Sequence, residues 1–201
     1  MRTVIQRVKE AKVEVDGETR LFINGVGMGI DGAVCDGVEQ YKKKTGKKAN
    51  YTAIALKLLA YKYKRPSATV VVDGVEHRFT DVWMASAMHG RFFGGGMMIS
   101  PTQDRRSGKL SLMVMHGGSR PKVLTIFPSV FKGTHIKYTE IVEIFECDEV
   151  TVTYDIPIAF QADGETKSNM MTYTARSARL VAEKLANKDK ASDETPTLAE
   201  V

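Results

Sequence analysis

The stretch that decides the fold is Phe22-Ile23-Asn24-Gly25-Val26-Gly27-Met28-Gly29-Ile30-Asp31, an apolar run that breaks into alternating glycines. Glycines at alternate positions permit positive φ angles and the close approach of another backbone. The spacing differs from the dinucleotide fingerprint G-x-G-x-x-G, which opens a helix inside a parallel βαβ unit. We therefore predict a buried strand that ends in glycines, which either packs against another backbone or lines a binding site.

On the carboxyl side of this stretch the pattern is first helical and then mostly extended. Amphipathic spacing from residue 32 to residue 64 predicts helices, and Pro66 should stop the last of them. Two extended runs flank Asp73-Gly74, which predicts a β-hairpin. A further helix is predicted at 119–131, after the capping residue Ser119. Further strands are predicted at 82–88, 109–115, 142–145, 149–154, 158–162 and 172–174. This composition of elements predicts an α+β, mainly β protein with two or three helices, either a distorted two-layer β-sandwich or a distorted barrel.

Composition and charge limit the class of protein. The chain has 201 residues, 43% hydrophobic and 26% charged, as expected for one globular domain. We expect a compact domain over residues 1–185, with 1–11 as an extension of uncertain kind and 186–201 as a disordered polar tail. No apolar run approaches the roughly 18–20 residues of a membrane span. Two cysteines far apart in sequence fit a reducing cytoplasm.

A run of three glycines follows paired phenylalanines in the second distinctive segment. Gly94, Gly95 and Gly96 permit a surface free of side chains, against which a ligand or another domain can lie. Pro101 restricts the residue before it and argues against a loose loop. A binding surface and a hairpin loop both fit this pattern.

The third segment, Ala162-Asp163-Gly164-Glu165, places two carboxylates on a predicted turn at a strand end. A carboxylate in such a position can accept a proton from a substrate hydroxyl as a general base. It can also orient a network around bound magnesium. Because Asp73-Gly74 is an ordinary turn of the same kind, spacing alone favours a structural hairpin turn.

Taken in order, these three segments resemble the second domain of the bacterial diacylglycerol kinase family, which belongs to the lipid kinase, sphingosine kinase and NAD kinase superfamily. The likeness runs from about residue 12 to residue 180 and includes Gly108-Lys109-Leu110-Ser111-Leu112 and Lys132-Gly133-Thr134-His135. Each segment alone is a weak signal, whereas all of them in this order are fairly specific.

The resemblance implies one half of a two-domain enzyme that transfers the γ-phosphoryl group of ATP to a lipid hydroxyl with the help of Mg²⁺. A first α/β domain would bind the nucleotide, and a second, β-sandwich domain would close over the cleft. By this resemblance Glu165 is the catalytic base and Asp163 supports it, while Asn24, Gly27, Asp31 and the three glycines 94–96 line the substrate cleft. Such a reaction depends mainly on positioning and charge neutralisation.

The sequence departs from the family pattern in two places. The family usually has an Asp-Gly pair after the proline, and its aspartate helps to hold a structural magnesium. Here Ser107-Gly108 stands in that place, so Asp104 and Ser107 are the metal ligands that the resemblance predicts. No nucleotide loop occurs in the chain, and we therefore expect it to need a missing nucleotide-binding domain as its partner and to be inactive alone.

Further expectations concern partners and location. The resemblance implies a lipid substrate at a membrane surface and a cytoplasmic protein in peripheral contact with the inner membrane. Diacylglycerol, phosphatidylglycerol-like lipids and sphingoid bases remain open as acceptors. A separated half should expose the face that its partner covers, which predicts homo-oligomers. Nucleic acid is not an expected partner of the kinase. The alternative function is a non-catalytic, β-rich binding or regulatory module for anionic lipid or nucleic acid, since the net charge is +5.

Residues 1–18 are also similar to the start of D-aminoacyl-tRNA deacylases. The later Ser-Gln-Phe-Thr-Leu and Gly-Pro motifs of that family do not occur in this chain. We interpret this likeness as a coincidence between β-strands or as a fusion.

Overall fold

The computed structural model describes residues 11–183. In chain order the strands are β1 (Ala11–Val15), β2 (Glu18–Phe22), β3 (Gly25–Gly29), β4 (Ala68–Val72), β5 (Val75–Phe79), β6 (Val82–Met88), β7 (Phe92–Phe93), β8 (Met97–Met98), β9 (Leu110–His116), β10 (Val142–Cys147), β11 (Glu149–Ala162) and β12 (Glu165–Arg176). The helices are α1 (Ile30–Thr45), α2 (Tyr51–Lys57) and α3 (Arg120–Ile126). The predicted tail at 186–201 and residues 1–10 of the predicted extension lie outside the described residues.

Ten of the strands form one antiparallel sheet, eight of them in the order β10-β9-β6-β3-β11-β12-β1-β2. The other two are β4, which pairs with β11, and β5, which pairs with β4. Strand β11 connects the parts of this sheet, because its residues 150–154 pair with β4 and its residues 160–162 pair with β3. The sequence predicted two separate strands here. The structure joins them through a register shift between Thr153 and Ile158, where Pro157 has no N–H to donate to the ladder.

The sheet folds over on itself to enclose a first hydrophobic core. Strands from both ends of the sheet, β1 and β9 among them, contribute side chains to one buried cluster. The Tyr173 hydroxyl on β12 donates to the Ala85 carbonyl on β6 at 3.0 Å, although two strands separate them along the sheet. The Tyr154 hydroxyl likewise donates to the Met28 carbonyl at 2.9 Å. The predicted α+β, mainly β class is therefore confirmed.

The helices cover one outer face of this sandwich and enclose a second core. Alternation along β6 divides the side chains: Ala85 and Ala87 face the sandwich interior, whereas Met84 and Met88 pack toward the helical layer. A π-helical turn (Leu58–Lys62) extends α2, and a 3₁₀ helix (Phe127–Lys132) continues α3. Residues 178–183 are also helical. No helix between residues 11 and 183 combines the length and the apolar character needed to span a membrane.

Trp83 on β6 anchors the helical layer to the sheet. Its side chain is fully buried, and the guanidinium groups of Arg65 and Arg120 lie over its ring at 5.2 and 5.5 Å from the centroid. Arg120 also donates to the carbonyls of Leu59 at 2.8 Å and Tyr63 at 2.6 Å, which lie at the end of the π-helical turn. These donors satisfy carbonyls that the helix end leaves without intrahelical partners.

Candidate functional site

A cavity of about 520 Å³ lies between the helical layer and the sheet. This volume is within the range of about 300–1,000 Å³ that small-molecule sites occupy. Most of the cavity wall is apolar and comes from all three helices, from β6 and β9 and from the short β7–β8 hairpin. Its lining side chains include Val34, Ala55, Leu59, Met113, Val123 and Val130. The cavity can therefore receive an apolar chain.

One buried carboxyl group, Asp31 at the start of α1, lies in this apolar wall. Its Oδ2 atom accepts hydrogen bonds from the Ser86 hydroxyl at 2.8 Å and from the Gln161 amide at 3.3 Å. Its Oδ1 atom has no hydrogen-bond partner among residues 11–183. Burial raises the pKa of Asp31 above its ordinary value, which favours the neutral acid. A neutral carboxyl group can both donate to and accept from a ligand hydroxyl.

Gly27 on β3 makes the Asp31 arrangement possible without lining the cavity itself. A Cβ atom at this position would lie 2.3 Å from the Ser86 hydroxyl and 2.4 Å from Asp31 Oδ2. Either contact is far inside the separation that real Cβ atoms show. This glycine therefore provides close packing, which is one of the two interpretations that the sequence left open. Its predicted place in the substrate cleft stays a prediction, because Gly27 does not line the cavity.

Two other titratable groups of the cavity wall are held in their neutral forms. Burial, with Asp31 nearby, raises the pKa of the Cys35 thiol to about 12, so this cysteine is a poor nucleophile. Burial lowers the pKa of His135, whose Nε2 lies 3.0 Å from the Ile99 carbonyl and donates to it. In that tautomer His135 Nδ1 is an acceptor, and it has no partner in the described part of the chain. His135 is a site residue that spacing in the sequence did not reveal.

Asp163 ties the turn between β11 and β12 to the start of β3. Its two carboxylate oxygens accept from the backbone N–H groups of Ile23 at 2.8 Å, Asn24 at 3.0 Å and Gly25 at 2.9 Å. The Asn24 side chain in turn donates to the Phe92 carbonyl at 2.5 Å. Asn24, Gly25 and Asp163 all line the cavity, so these contacts hold one part of its wall in place.

Glu165 lies beside this site rather than inside it. Its side chain is 82% exposed, and its carboxylate is 3.6 Å from the Arg20 guanidinium. It borders a second, shallower depression that shares Asp163 with the main cavity. Gly164, its neighbour in sequence, lines the main cavity. The role of Glu165 as a general base stays a prediction.

The glycine triplet forms the tip of the β7–β8 hairpin. Gly94 and Gly95 line the cavity, whereas Gly96 is exposed and does not. The part of all three in a substrate cleft stays a prediction. All three have positive φ angles, of 54°, 81° and 102°, which only glycine adopts without strain.

Asp104 and Ser107 form a capped turn. The Asp104 carboxylate accepts from the Arg106 backbone N–H at 2.9 Å, and the Ser107 hydroxyl donates to the Asp104 carbonyl at 2.8 Å. Nowhere in residues 11–183 do three His, Cys, Asp or Glu side chains come together as a metal site. Mg²⁺ usually has six oxygen ligands, and a magnesium ion here would have to take most of them from water or another molecule. Asp104 and Ser107 alone therefore do not form a complete protein site for Mg²⁺. Their assignment as ligands stays a prediction.

Comparisons with known sequences point to one family. The family profile described as the YegS C-terminal NAD kinase beta sandwich-like domain matches residues 24–181. Curated diacylglycerol kinases from two strains of Mycobacterium tuberculosis, CDC 1551 / Oshkosh and ATCC 25618 / H37Rv, are each 30% identical to this chain over 152 residues. The alignment covers 75% of this chain but 47% of each relative. The chain thus spans about half the length of the curated relatives that it matches.

Solved structures show the same fold. A candidate diacylglycerol kinase from Bacillus anthracis str. Sterne superposes with a TM-score of 0.60 at 14% identity, over 84% of this chain and 53% of that protein. A second structure of a candidate diacylglycerol kinase from the same strain gives a TM-score of 0.56 at 15% identity, with the same coverage. At such low identity these likenesses show the fold alone.

Proposed function

Because the chain belongs to the family of YegS C-terminal NAD kinase beta sandwich-like domains, we propose that it is the lipid-acceptor half of a lipid kinase. In this role it holds a lipid that carries a free hydroxyl, such as diacylglycerol, and presents that hydroxyl to a nucleotide bound by a partner domain. The similarity to curated diacylglycerol kinases supports the substrate class. The half of those relatives that this chain does not span is the proposed source of the nucleotide site.

The observation that carries this proposal is an apolar cavity with a buried carboxyl group in its wall. An acyl chain inside it would gain about 0.8 kcal/mol for each methylene group removed from water. The polar end of the lipid would lie near Asp31, Gln161 and Asn24, which contribute the main polar groups on one side of the wall. Asp163 stabilises that side through its three backbone contacts.

For the chemical step, the chain would position the hydroxyl, exclude water and accept a proton. When bound, ATP with Mg²⁺ supplies the phosphoryl group and neutralises its charge. Glu165 is the proposed proton acceptor, because its exposed carboxylate follows directly on Gly164 at the cavity wall. Asp163 would act as a positioning residue that fixes the turn carrying Glu165.

Filling the cavity tests lipid uptake. We expect dioctanoylglycerol to bind the wild-type chain in isothermal titration calorimetry. Ala55→Phe should weaken this binding at least tenfold, because Ala55 is buried in the cavity wall. Leu56→Phe is the matched control: it adds an aromatic ring at the next position of α2, where Leu56 is 41% exposed and does not line the cavity. Equal binding by all three proteins would refute uptake into this cavity and favour the non-catalytic binding module.

Neutralising Glu165 tests the proton acceptor. With a nucleotide-binding domain of the family supplied in trans, we expect Glu165→Gln to lower phosphoryl transfer to diacylglycerol by about 100-fold or more. Uptake of dioctanoylglycerol should be unchanged, because Glu165 lies outside the cavity. Glu18→Gln is the control, since Glu18 is a second exposed carboxylate beside Arg20. Full activity of Glu165→Gln would show that another group accepts the proton.

A further inference from the structure

The β7–β8 hairpin lines part of the cavity and has apolar side chains that are partly exposed. Its two strands form a small sheet of their own, separate from the large sheet. Phe92 is 44% exposed, and Phe93, Met97 and Met98 are each partly exposed. A Cβ atom added at either of the last two glycines of the tip would meet no atom within 4 Å. These two glycines are therefore open to solvent, while Phe93 and Met97 also line the cavity. Exposed apolar side chains clustered in this way are uncommon on a protein surface.

Cationic side chains surround the base of this hairpin. Arg91 directly precedes it, and the Arg105 guanidinium lies 2.6 Å from where a Cβ atom of Gly90 would be. Lys132 lies on the other side of the hairpin. Its neighbour Gly133 packs closely against Met98, since a Cβ atom added to Gly133 would lie 2.6 Å from the Met98 sulfur. Arg91, Arg105, Arg106 and Lys132 are all exposed. Across residues 11–183, none of these four cations forms an ion pair, so their charge is available to a partner.

We propose that residues 92–98, together with Arg91, Arg105, Arg106 and Lys132, form a docking surface for a bilayer that contains anionic phospholipid. An apolar hairpin with cations at its base suits the surface of such a bilayer. Aromatic side chains enter the headgroup region there, and each nearby Lys or Arg contributes about 1 kcal/mol to binding. This inference goes beyond the proposed function and holds whatever the cavity contains. Docking at this surface would bring the cavity wall close to the bilayer, because the same hairpin lines the cavity.

Vesicle sedimentation tests the docking surface. We expect the wild-type chain to bind vesicles of phosphatidylglycerol and phosphatidylcholine in equal parts, and to bind pure phosphatidylcholine vesicles much more weakly. Added salt should weaken binding to the anionic vesicles. Phe92→Ser should weaken it about tenfold, since a half-exposed aromatic ring no longer enters the interface. When the double substitution Arg106→Gln/Lys132→Gln is added to Phe92→Ser, binding to the anionic vesicles should weaken by another factor of about ten or more.

These substitutions leave the cavity and the fold intact. The Phe92 side chain does not line the cavity, and the side chains of Arg106 and Lys132 make no hydrogen bonds within the described part of the chain. Val75→Ser is the matched control, because Val75 is 59% exposed on the other hairpin, β4–β5, and the same change there should leave vesicle binding unchanged. Ala55→Phe should also leave it unchanged, which separates failure of docking from failure of the proposed lipid uptake.

Four outcomes would overturn the proposal. Equal binding to vesicles with and without phosphatidylglycerol would show that the cations do not contribute. If Val75→Ser weakened vesicle binding as much as Phe92→Ser, the hairpin would have no specific part in docking. Binding of single-stranded DNA, weakened by the same substitutions and without vesicle binding, would identify nucleic acid as the partner. Concentration-dependent dimers that Phe92→Ser dissociates, again without vesicle binding, would identify a second copy of the chain.

Discussion

At the scale of single residues, Asp31 couples stability to pH. Its pKa is raised by burial, so the folded chain binds the proton more tightly than the unfolded chain does. The stability from this effect is fully present below the ordinary pKa of an aspartate and is lost as pH rises through the raised pKa. Asp31→Asn should remove this component. We expect the free energy of unfolding in urea, followed by circular dichroism, to fall less between pH 4 and pH 8 in the variant.

The control for this prediction is Asp36→Asn on the same helix, where the side chain is only partly buried and accepts from Gln40 at 2.8 Å. That variant should retain the pH dependence of the wild-type chain. Parallel curves for the wild type and Asp31→Asn would contradict the assignment of a raised pKa to Asp31.

Asp163 and Glu165 differ in what they contribute to stability. Asp163 accepts from three backbone N–H groups, and Asp163→Ala should leave these donors without their acceptor. We expect a loss of about 2–3 kcal/mol, toward the upper end of the cost of unsatisfied groups, measured by thermal unfolding. Glu165→Gln should change stability by less than about 0.5 kcal/mol, as expected at an exposed position. Equal stability of both variants would refute this division of roles.

Several residues that the sequence singled out lie together in the structure. Asn24, Asp31, Gly94 and Gly95 line one cavity, although they are far apart along the chain. Glycine spacing and the family pattern drew attention to these positions, and their part in binding a substrate stays a prediction. The partnerless Nδ1 atom of His135 could not be predicted, because it depends on how a 3₁₀ turn packs against the Ile99 carbonyl. Such contacts arise from tertiary packing and leave no periodic signal in the sequence.

At the scale of elements, helix ends were the hardest features to predict. The sequence indicated that the second helix continues to Pro66, whereas α2 ends at Lys57 and a π-helical turn follows. It likewise predicted one helix at 119–131, but α3 ends at Ile126 and continues as a 3₁₀ helix with Pro128 near its start. Proline lacks the N–H group that an α-helical turn needs in its interior.

Arg120 stabilises the end of the π-helical turn from a neighbouring helix. Arg120→Lys keeps the positive charge but removes the fork of donors to the carbonyls of Leu59 and Tyr63. We expect this change to cost about 1–3 kcal/mol of unfolding free energy in urea. Lys122→Gln on the same helix removes an exposed ion pair with Glu140 and should cost less than about 1 kcal/mol. A loss for Arg120→Lys no larger than for Lys122→Gln would contradict the capping role.

At the scale of the whole molecule, fold class and family were predictable, whereas the order of strands was not. The sequence predicted β6 with its observed bounds, 82–88, and turn chemistry predicted the β4–β5 hairpin. The diacylglycerol-kinase-like family prediction is confirmed by the match of the family profile to residues 24–181. The solved structures show that the fold is shared. The pairing of β11 with both β3 and β4 could not be predicted, because it joins residues far apart in sequence.

The volume of the cavity limits the lipid that it can enclose. A cavity of about 520 Å³ has room for a limited number of methylene groups. We therefore expect the affinity for monoacylglycerols in calorimetry to rise with chain length by up to about 0.8 kcal/mol per methylene and to level off once the cavity is full. Ala55→Phe should move the plateau to shorter chains. A rise that continues without a plateau would contradict binding of the chain inside the cavity.

Trp83 also gives the protein an internal optical probe. It is the single tryptophan of the chain, and it lies where the helical layer meets the sheet. If the helices lift away while the sandwich remains folded, the indole becomes hydrated and its fluorescence shifts to longer wavelength before far-ultraviolet ellipticity changes. Opening of the cavity can thus be followed without an added label.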